Sequence, residues 1–312
     1  MLTVISPAPH RLAMSAEVAD ALAGGTAVVA LESTILSHGL PPGRNLEVGR
    51  RLERTVRDAG AVPATIAVLD GQALVGLSPV QLERVCAPDA GLDKLSLRDL
   101  GPVLALGGSG ATTVASTAVL AHAAGIGVFG TGGLGGVHLP LPGASVTWDV
   151  SADLGALART PVLVVCSGMK SILDIPATLE VLETNSVPVL GYRTDEFPSF
   201  YLRSSGLPVP RRVDDPAQVA AIVSAHRHFA DSGVLLANPI PPESEMDREL
   251  HDRLLAEGLE LVASRAVSGA DVTPVLLEHF HTASGGASLD ANEELVVANV
   301  RLAAEVAVEL AS

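Results

Sequence analysis

Apolar and polar positions follow two rhythms along the chain. Short, largely apolar runs at residues 26–31, 126–129, 161–166, 187–190 and 233–237 have the length of buried strands. Between them the apolar spacing is helical. Over residues 45–59, Leu46, Val48, Leu52 and Val56 fall roughly on one face, with Arg and Glu elsewhere. Further helices are predicted over 112–124, 171–184 and 216–231. Another is predicted over 288–310, where Ala, Leu and Val form one stripe. Residues 64–69 and 72–76 flank Asp70-Gly71, a dipeptide suited to a type I′ turn, so they predict a hairpin. An antiparallel pair inside an alternating pattern implies a mixed central sheet, and the alternation implies an α/β fold of α/β/α layers. The proline-rich loops at 40–43 and 238–242 are too short to separate domains. Residues 1–312 therefore read as one domain, with 1–12 as a flexible N-terminus.

Composition narrows the function classes. A 48% hydrophobic chain of 312 residues can bury a full core, which excludes disorder. Its net charge of −15 lacks the basic footprint of a nucleic-acid or anionic-membrane binder. Residues 100–148 contain no Asp, Glu, Lys or Arg, yet twelve glycines interrupt them, so they lack the ~20 continuous apolar residues of a membrane span. The first twelve residues hold no apolar stretch of the kind a signal peptide needs. Two cysteines form no disulfide framework, which fits a reducing, cytoplasmic setting. The basic residues are more telling: of 20, only Lys94 and Lys170 are lysines, and the rest are arginines. Two amines kept in such a chain are candidates for work a guanidinium cannot do.

Several strings carry candidate chemistry, each with a plainer reading beside it. Glu32 follows the first strand, where α/β sheets place ligand groups; it is a general acid or base, or a helix-capping or exposed acid. The turn Gly107-Gly108-Ser109-Gly110 before a helix, and the five glycines within 130–136, suit a phosphate or close ligand approach, or tight turns. Asp149 with Ser151 and Asp153 suits a hard divalent cation and a polar substrate, or a capped helix. Lys170 is predicted to open the 171–184 helix. The dipole there repels a cation and favours a neutral, nucleophilic amine; the alternative is an ordinary surface lysine. Lys94 is a candidate phosphate partner.

Read together, seven strings in order resemble the pseudouridine-5′-phosphate glycosidase family, also called indigoidine synthase A-like. They are Ala30-Leu-Glu-Ser-Thr-Ile-Leu-Ser-His-Gly39, Gly110-Ala-Thr-Thr-Val114, Gly132-Gly-Leu-Gly-Gly-Val-His138, Asp149-Val-Ser-Ala-Asp153, Lys170-Ser-Ile-Leu-Asp174, Gly191-Tyr-Arg-Thr-Asp-Glu-Phe-Pro198 and Ala237-Asn-Pro-Ile-Pro241. The resemblance runs from about Ala30 to the last helix. It implies a C-glycosidase that reversibly converts pseudouridine 5′-phosphate and water into uracil and ribose 5-phosphate, with Mn²⁺ and as a homotrimer. Position by position, it implies Glu32 as proton donor, Lys170 as nucleophile and Asp149 as the metal carboxylate. Lys94, Val114, Ser151, Ala152, Asp153 and Asn292 are implied as substrate contacts. The chain departs from the family pattern after His138, where Leu139-Pro-Leu-Pro-Gly143 replaces a shorter link containing arginine.

The residue types suit that chemistry. Paired carboxylates expel oxygen or nitrogen leaving groups, but a carbon–carbon glycosidic bond needs an electron sink, which an imine on a primary amine supplies. Two other readings share part of the pattern: a Schiff-base aldolase acting on another sugar phosphate, and a non-catalytic sugar-phosphate sensor.

Overall fold

The computed structural model describes residues 12–140, 148–170, 172–265, 267 and 272–312. Of the expected flexible N-terminus, residues 1–11 lie outside these, and Leu12 opens the strand Leu12–Met14. Eleven described strands form one mixed sheet. Its centre is a parallel run ordered Val62–Leu69, Val28–Leu31, Val128–Gly130, Leu163–Cys166, Val234–Ala237, Val189–Tyr192 and Arg211–Val213. Leu163–Cys166 and Val234–Ala237 are buried at every position, as parallel strands covered on both faces must be.

The hairpin forms as the sequence implies. Gln72–Val75 pairs antiparallel with Val62–Leu69, and both turn residues have positive φ, 51° at Asp70 and 72° at Gly71, the signature of a I′ turn. The eight-residue strand Val62–Leu69 does a second job. Its first half pairs with Val28–Leu31, while Ala67 and Val68 pair antiparallel with the short strand Gly110–Thr112. Residues 110–112 are therefore strand, and the helix predicted from 112 begins at Val114 and runs to Ala123. Asp93–Leu95 adds to the outer edge of Gly110–Thr112, with Lys94 opposite Ala111.

Two helical layers cover the sheet. The 25-residue helix Ala287–Ala311 packs over the central strands beside Arg44–Asp58, and Val114–Ala123 covers the opposite face beside Ala152–Leu157. The connection leaving Val28–Leu31 thus runs through a helix on one face, while that leaving the adjacent Val128–Gly130 runs through a helix on the other. Such a reversal opens a crevice at the carboxyl ends of the two strands.

Helices at Ala16–Ala23, Pro79–Cys86, Leu97–Leu106, Arg248–Ser264 and Val272–Ala283 were not anticipated from the pattern. The helix predicted over 171–184 is shorter, Ile175–Thr184, because Leu173-Asp174 pairs with Val137-His138 and Asp174 then caps the helix by accepting from the Ala177 N–H at 3.0 Å. Among the described residues no helix is long and apolar enough to cross a membrane.

Candidate active site

Three neighbouring strands deliver the central groups into that crevice. Glu32 follows Leu31, and Thr131 follows Gly130; Leu31 and Gly130 are partners across the parallel ladder. The Thr131 hydroxyl donates to the Glu32 carboxylate Oε1, and the Thr131 N–H donates to the Val165 carbonyl at 2.9 Å. Beyond the third strand, Ser167, Gly168 and Met169 turn the chain to Lys170, whose N–H reaches the Leu134 carbonyl at 3.3 Å. Gly168 cannot be replaced cheaply there, since its φ is 77° and a Cβ would sit 2.1 Å from the Pro198 carbonyl oxygen. Lys170 lies four residues before the helix cap Asp174, so the helix-dipole argument for this amine does not apply. Its electrostatic partner is Glu32.

Glu32 retains some exposure because it faces the open cleft, yet protein atoms crowd its carboxyl. That desolvation pushes its pKa above the ordinary carboxylate value, and the nearby Asp153 charge adds to the rise. Lys170, the Thr131 hydroxyl and Lys94 pull the other way without overcoming it. The result is a carboxyl that gives up its proton less readily than an ordinary glutamate, in the same cleft as a primary amine.

The cleft encloses about 600 Å³ and gathers most of the residues singled out in the sequence: Glu32, Lys94, Val114, Asp149, Ser151, Ala152, Asp153 and Lys170. Lys94 and Val114 arrive through the Gly110–Thr112 strand, which is tied to the Glu32 segment by the Thr112 N–H on Ser33 Oγ (2.9 Å) and the Thr34 hydroxyl on the Thr112 carbonyl (2.8 Å). Asp153 is buried, and its two oxygens accept the Ala115 and Gly135 N–H groups, each at 2.9 Å. It holds the glycine loop to the helix Val114–Ala123. Ser151 caps the helix Ala152–Leu157, accepting from the Asp153 N–H at 3.2 Å.

The two glycine runs resolve differently. Gly107 ends the helix Leu97–Leu106 with φ 76°, and a Cβ on Gly110 would lie 2.4 Å from the Leu95 side chain. That run is packing and capping. In the 130–136 run, Gly133 and Gly136 lie against Phe200 and Thr178, again close packing, whereas Gly135 lines the cleft against Ser151 and Asp153. Asn292 is buried in the long C-terminal helix with its Oδ1 3.5 Å from where a Gly132 Cβ would stand, so it sits behind the loop and is not part of the cleft lining.

Asp149 lies 3.8 Å from Nδ1 of His138, and the His138 N–H donates to the Asp149 carbonyl at 2.9 Å. Burial lowers the His138 pKa, and Lys170 and Lys94 push the same way against Asp149, so the imidazole is neutral and available as a donor atom. Among the described residues no three or more His, Cys, Asp or Glu side chains are grouped so that they could hold a metal ion by themselves. One carboxylate and one imidazole do not make a tetrahedral zinc site, but they fit a hard cation that keeps waters and takes substrate oxygens. Of the departing link, Leu139 and Pro140 are described, while residues 141–143 lie outside.

Sequence reasoning missed Thr131, whose signal was only its place inside the glycine run. It also missed Arg98 and Arg159, which join Lys94 and Lys170 on the cleft wall. These four basic side chains line the cleft together with the carboxylates Glu32, Asp149 and Asp153, and Arg98 stands exposed at its rim beside Asp99.

A profile described as indigoidine synthase A like protein matches residues 17–309. The chain belongs to this family. It is 54% identical to a pseudouridine-5′-phosphate glycosidase of Salinispora tropica, over 95% of this chain and 91% of the relative. It is 48% identical to one of Paracoccus denitrificans, over 97% and 100%. Among solved structures, the prealnumycin C-glycosynthase AlnA in complex with ribulose 5-phosphate aligns with a TM-score of 0.87 at 40% identity, covering 96% of this chain and 97% of that one. A family member from Thermotoga maritima, an indigoidine synthase A-like protein, aligns with a TM-score of 0.86 at 38% identity, over 97% and 98%. The family fold accounts for the mixed sheet, and the crevice lies where that sheet reverses its connections.

Proposed function

We propose that this chain is a pseudouridine-5′-phosphate glycosidase, cleaving its substrate reversibly to uracil and ribose 5-phosphate. The observation that carries the reading is the convergence of Lys170 and Glu32, whose pKa burial raises, at one strand-end crevice that Lys94 also lines. The names of the relatives support the substrate, and the ribulose 5-phosphate bound by AlnA supports a pentose phosphate in such a cleft.

In this reading the neutral Lys170 amine attacks C1′, the C1′–O4′ bond breaks, and the ribose ring opens as the proton lost by the nitrogen passes to O4′. The nitrogen lone pair then forms the C1′=N imine as the C1′–C5 bond breaks. Its electrons pass to the uracil ring, and Glu32 delivers a proton to C5. Water hydrolyses the imine, releasing ribose 5-phosphate and the free lysine. An arginine cannot take this place, because a guanidinium forms no Schiff base. Lys94 and the amide end of the helix at Val114 hold the phosphate, whose binding energy orients the sugar. Asp149, with His138 beside it, would hold Mn²⁺, which supplies charge neutralisation for bound substrate oxygens. Ser151 to Asp153 shape the sugar side of the cleft, and Asn292 contributes behind the loop. We also infer a cytoplasmic homotrimer of single-domain subunits.

The test is uracil release from pseudouridine 5′-phosphate with added Mn²⁺, together with borohydride trapping of ribose 5-phosphate on Lys170. Both are expected with the intact chain and neither with Lys170→Ala. Trapping without uracil release would move the assignment to a Schiff-base aldolase. Full activity with no adduct at Lys170 would overturn the imine.

A further inference from the structure

One buried side chain outside the cleft ties its parts together. Asn299, in the middle of the helix Ala287–Ala311, has no solvent exposure. Its Nδ2 donates to the Thr131 carbonyl (2.9 Å), the Gly132 carbonyl (3.2 Å) and Ser167 Oγ (3.0 Å). Its Oδ1 accepts from Asn238 Nδ2 (3.0 Å) and lies 3.3 Å from the Ser167 hydroxyl. Thr131, Ser167 and Asn238 are the first residues beyond three adjacent parallel strands. An amide buried this deeply costs free energy unless satisfied, and here both of its N–H donors and its oxygen are engaged.

The two ends of this hub matter to the chemistry. Thr131 holds Glu32 with its hydroxyl while Asn299 holds the Thr131 backbone. Ser167 begins the turn that carries Lys170, and Asn299 grips Ser167 as well. The ladder carries on by one residue past each strand, with the Thr131 N–H on the Val165 carbonyl (2.9 Å), the Ser167 N–H on the Gly132 carbonyl (2.9 Å) and the Asn238 N–H on the Cys166 carbonyl (2.8 Å), and Asn299 ties the same three residues to the helical layer above them.

We propose that Asn299 is a positioning residue: from the C-terminal helix it pins the Thr131–Gly132 backbone to Ser167, and so sets Glu32, through the Thr131 hydroxyl, in register with Lys170. This rests on the acid and nucleophile roles given above. Asn299 touches neither the cleft nor its contents, so its effect runs through Thr131 and Ser167.

The test uses Asn299→Ala and the uncharged, similar-sized Asn299→Leu, with Thr131→Val as the direct break of the Glu32 contact. Glu32 titration is followed by NMR of chain carrying ¹³C-labelled glutamate carboxyls, and uracil release is measured alongside. Because the Thr131 hydrogen bond lowers the Glu32 pKa against burial, Thr131→Val should move the titration upward, and each Asn299 variant should move it the same way. Lys170, Lys94 and Asp153 also face this carboxyl and stay unchanged in all three variants. kcat should fall on the order of 10- to 100-fold with KM little changed. In the Asn299→Ala/Thr131→Val double variant the losses should be far from multiplicative, since both act through one contact. A folded Asn299 variant whose Glu32 titration matches the intact chain overturns the proposal, as does a double variant with multiplicative losses. If the intact chain releases no uracil, the glycosidase reading fails, and the titration still decides whether Asn299 acts on Glu32.

Discussion

Replacing Asp153 with asparagine separates its two jobs. Its oxygens accept one backbone N–H each, from Ala115 and Gly135, both at 2.9 Å in a buried setting. An asparagine keeps one oxygen, so whichever way its amide turns, an NH₂ meets a backbone N–H that has no other acceptor placed for it. Losing one hydrogen bond to a charged acceptor and stranding a buried donor together cost about 2–4 kcal/mol. For a domain of this size that corresponds to a Tm lower by about 5 °C or more. The second effect is electrostatic. The Asp153 charge raises the Glu32 pKa, so removing it lowers that pKa. A general acid works only while protonated, and its activity falls as pH rises through its pKa; the alkaline limb of the uracil-release profile should therefore move to lower pH in Asp153→Asn. Thermal unfolding and a pH–rate profile on the same preparation read both. An unchanged Tm would refute the two-amide account of Asp153. An alkaline limb moved to higher pH would refute Glu32 as the acid under its influence.

Other expectations follow from the same geometry. Lys170→Arg preserves charge but not the amine, so uracil release should drop to the level of Lys170→Ala, with mass spectrometry after borohydride showing no sugar adduct. A Cβ on Gly135 would lie 2.4 Å from Ser151 Oγ and 2.7 Å from Asp153 Oδ2, so Gly135→Ala should destabilise by roughly 1–3 kcal/mol in urea unfolding and raise KM. Lys94→Ala should raise KM for pseudouridine 5′-phosphate while leaving borohydride trapping at Lys170 intact at saturating ribose 5-phosphate. Chelation should abolish uracil release and Mn²⁺ restore it, with Asp149→Ala needing more metal for half-restoration in a titration.

Much of the frame is legible in the linear chain. A run such as Val234–Ala237 is apolar at every position and too short for a helix, so it announces a strand covered on both faces. Asp70-Gly71 demands positive φ twice and receives it. Glu32 and Lys170 can be singled out because each follows such a strand and sits in a distinctive string. The lost elements have local reasons. The Arg248–Ser264 helix mixes charges through its apolar positions, which blurs its period, and Gly110–Thr112 is too short to show any period at all. The helix start assigned to Lys170 failed because a two-residue pairing, Leu173-Asp174 with Val137-His138, delays it by a turn.

The order of short apolar runs, the Asp-Gly turn and the amines spared from replacement by arginine are properties of neighbours along the chain, and local sterics and solvation are enough to assign them. What joins Glu32 to Lys170 across 138 residues is not local. It depends on the reversal of connections between Val28–Leu31 and Val128–Gly130, on the antiparallel docking that brings Lys94 and Val114 alongside, and on Asn299 reaching from the last helix to three strand ends. Each of these contacts is stabilised only when distant segments are already packed, because a buried polar group is satisfied by partners that the fold, and not the sequence around it, brings within reach.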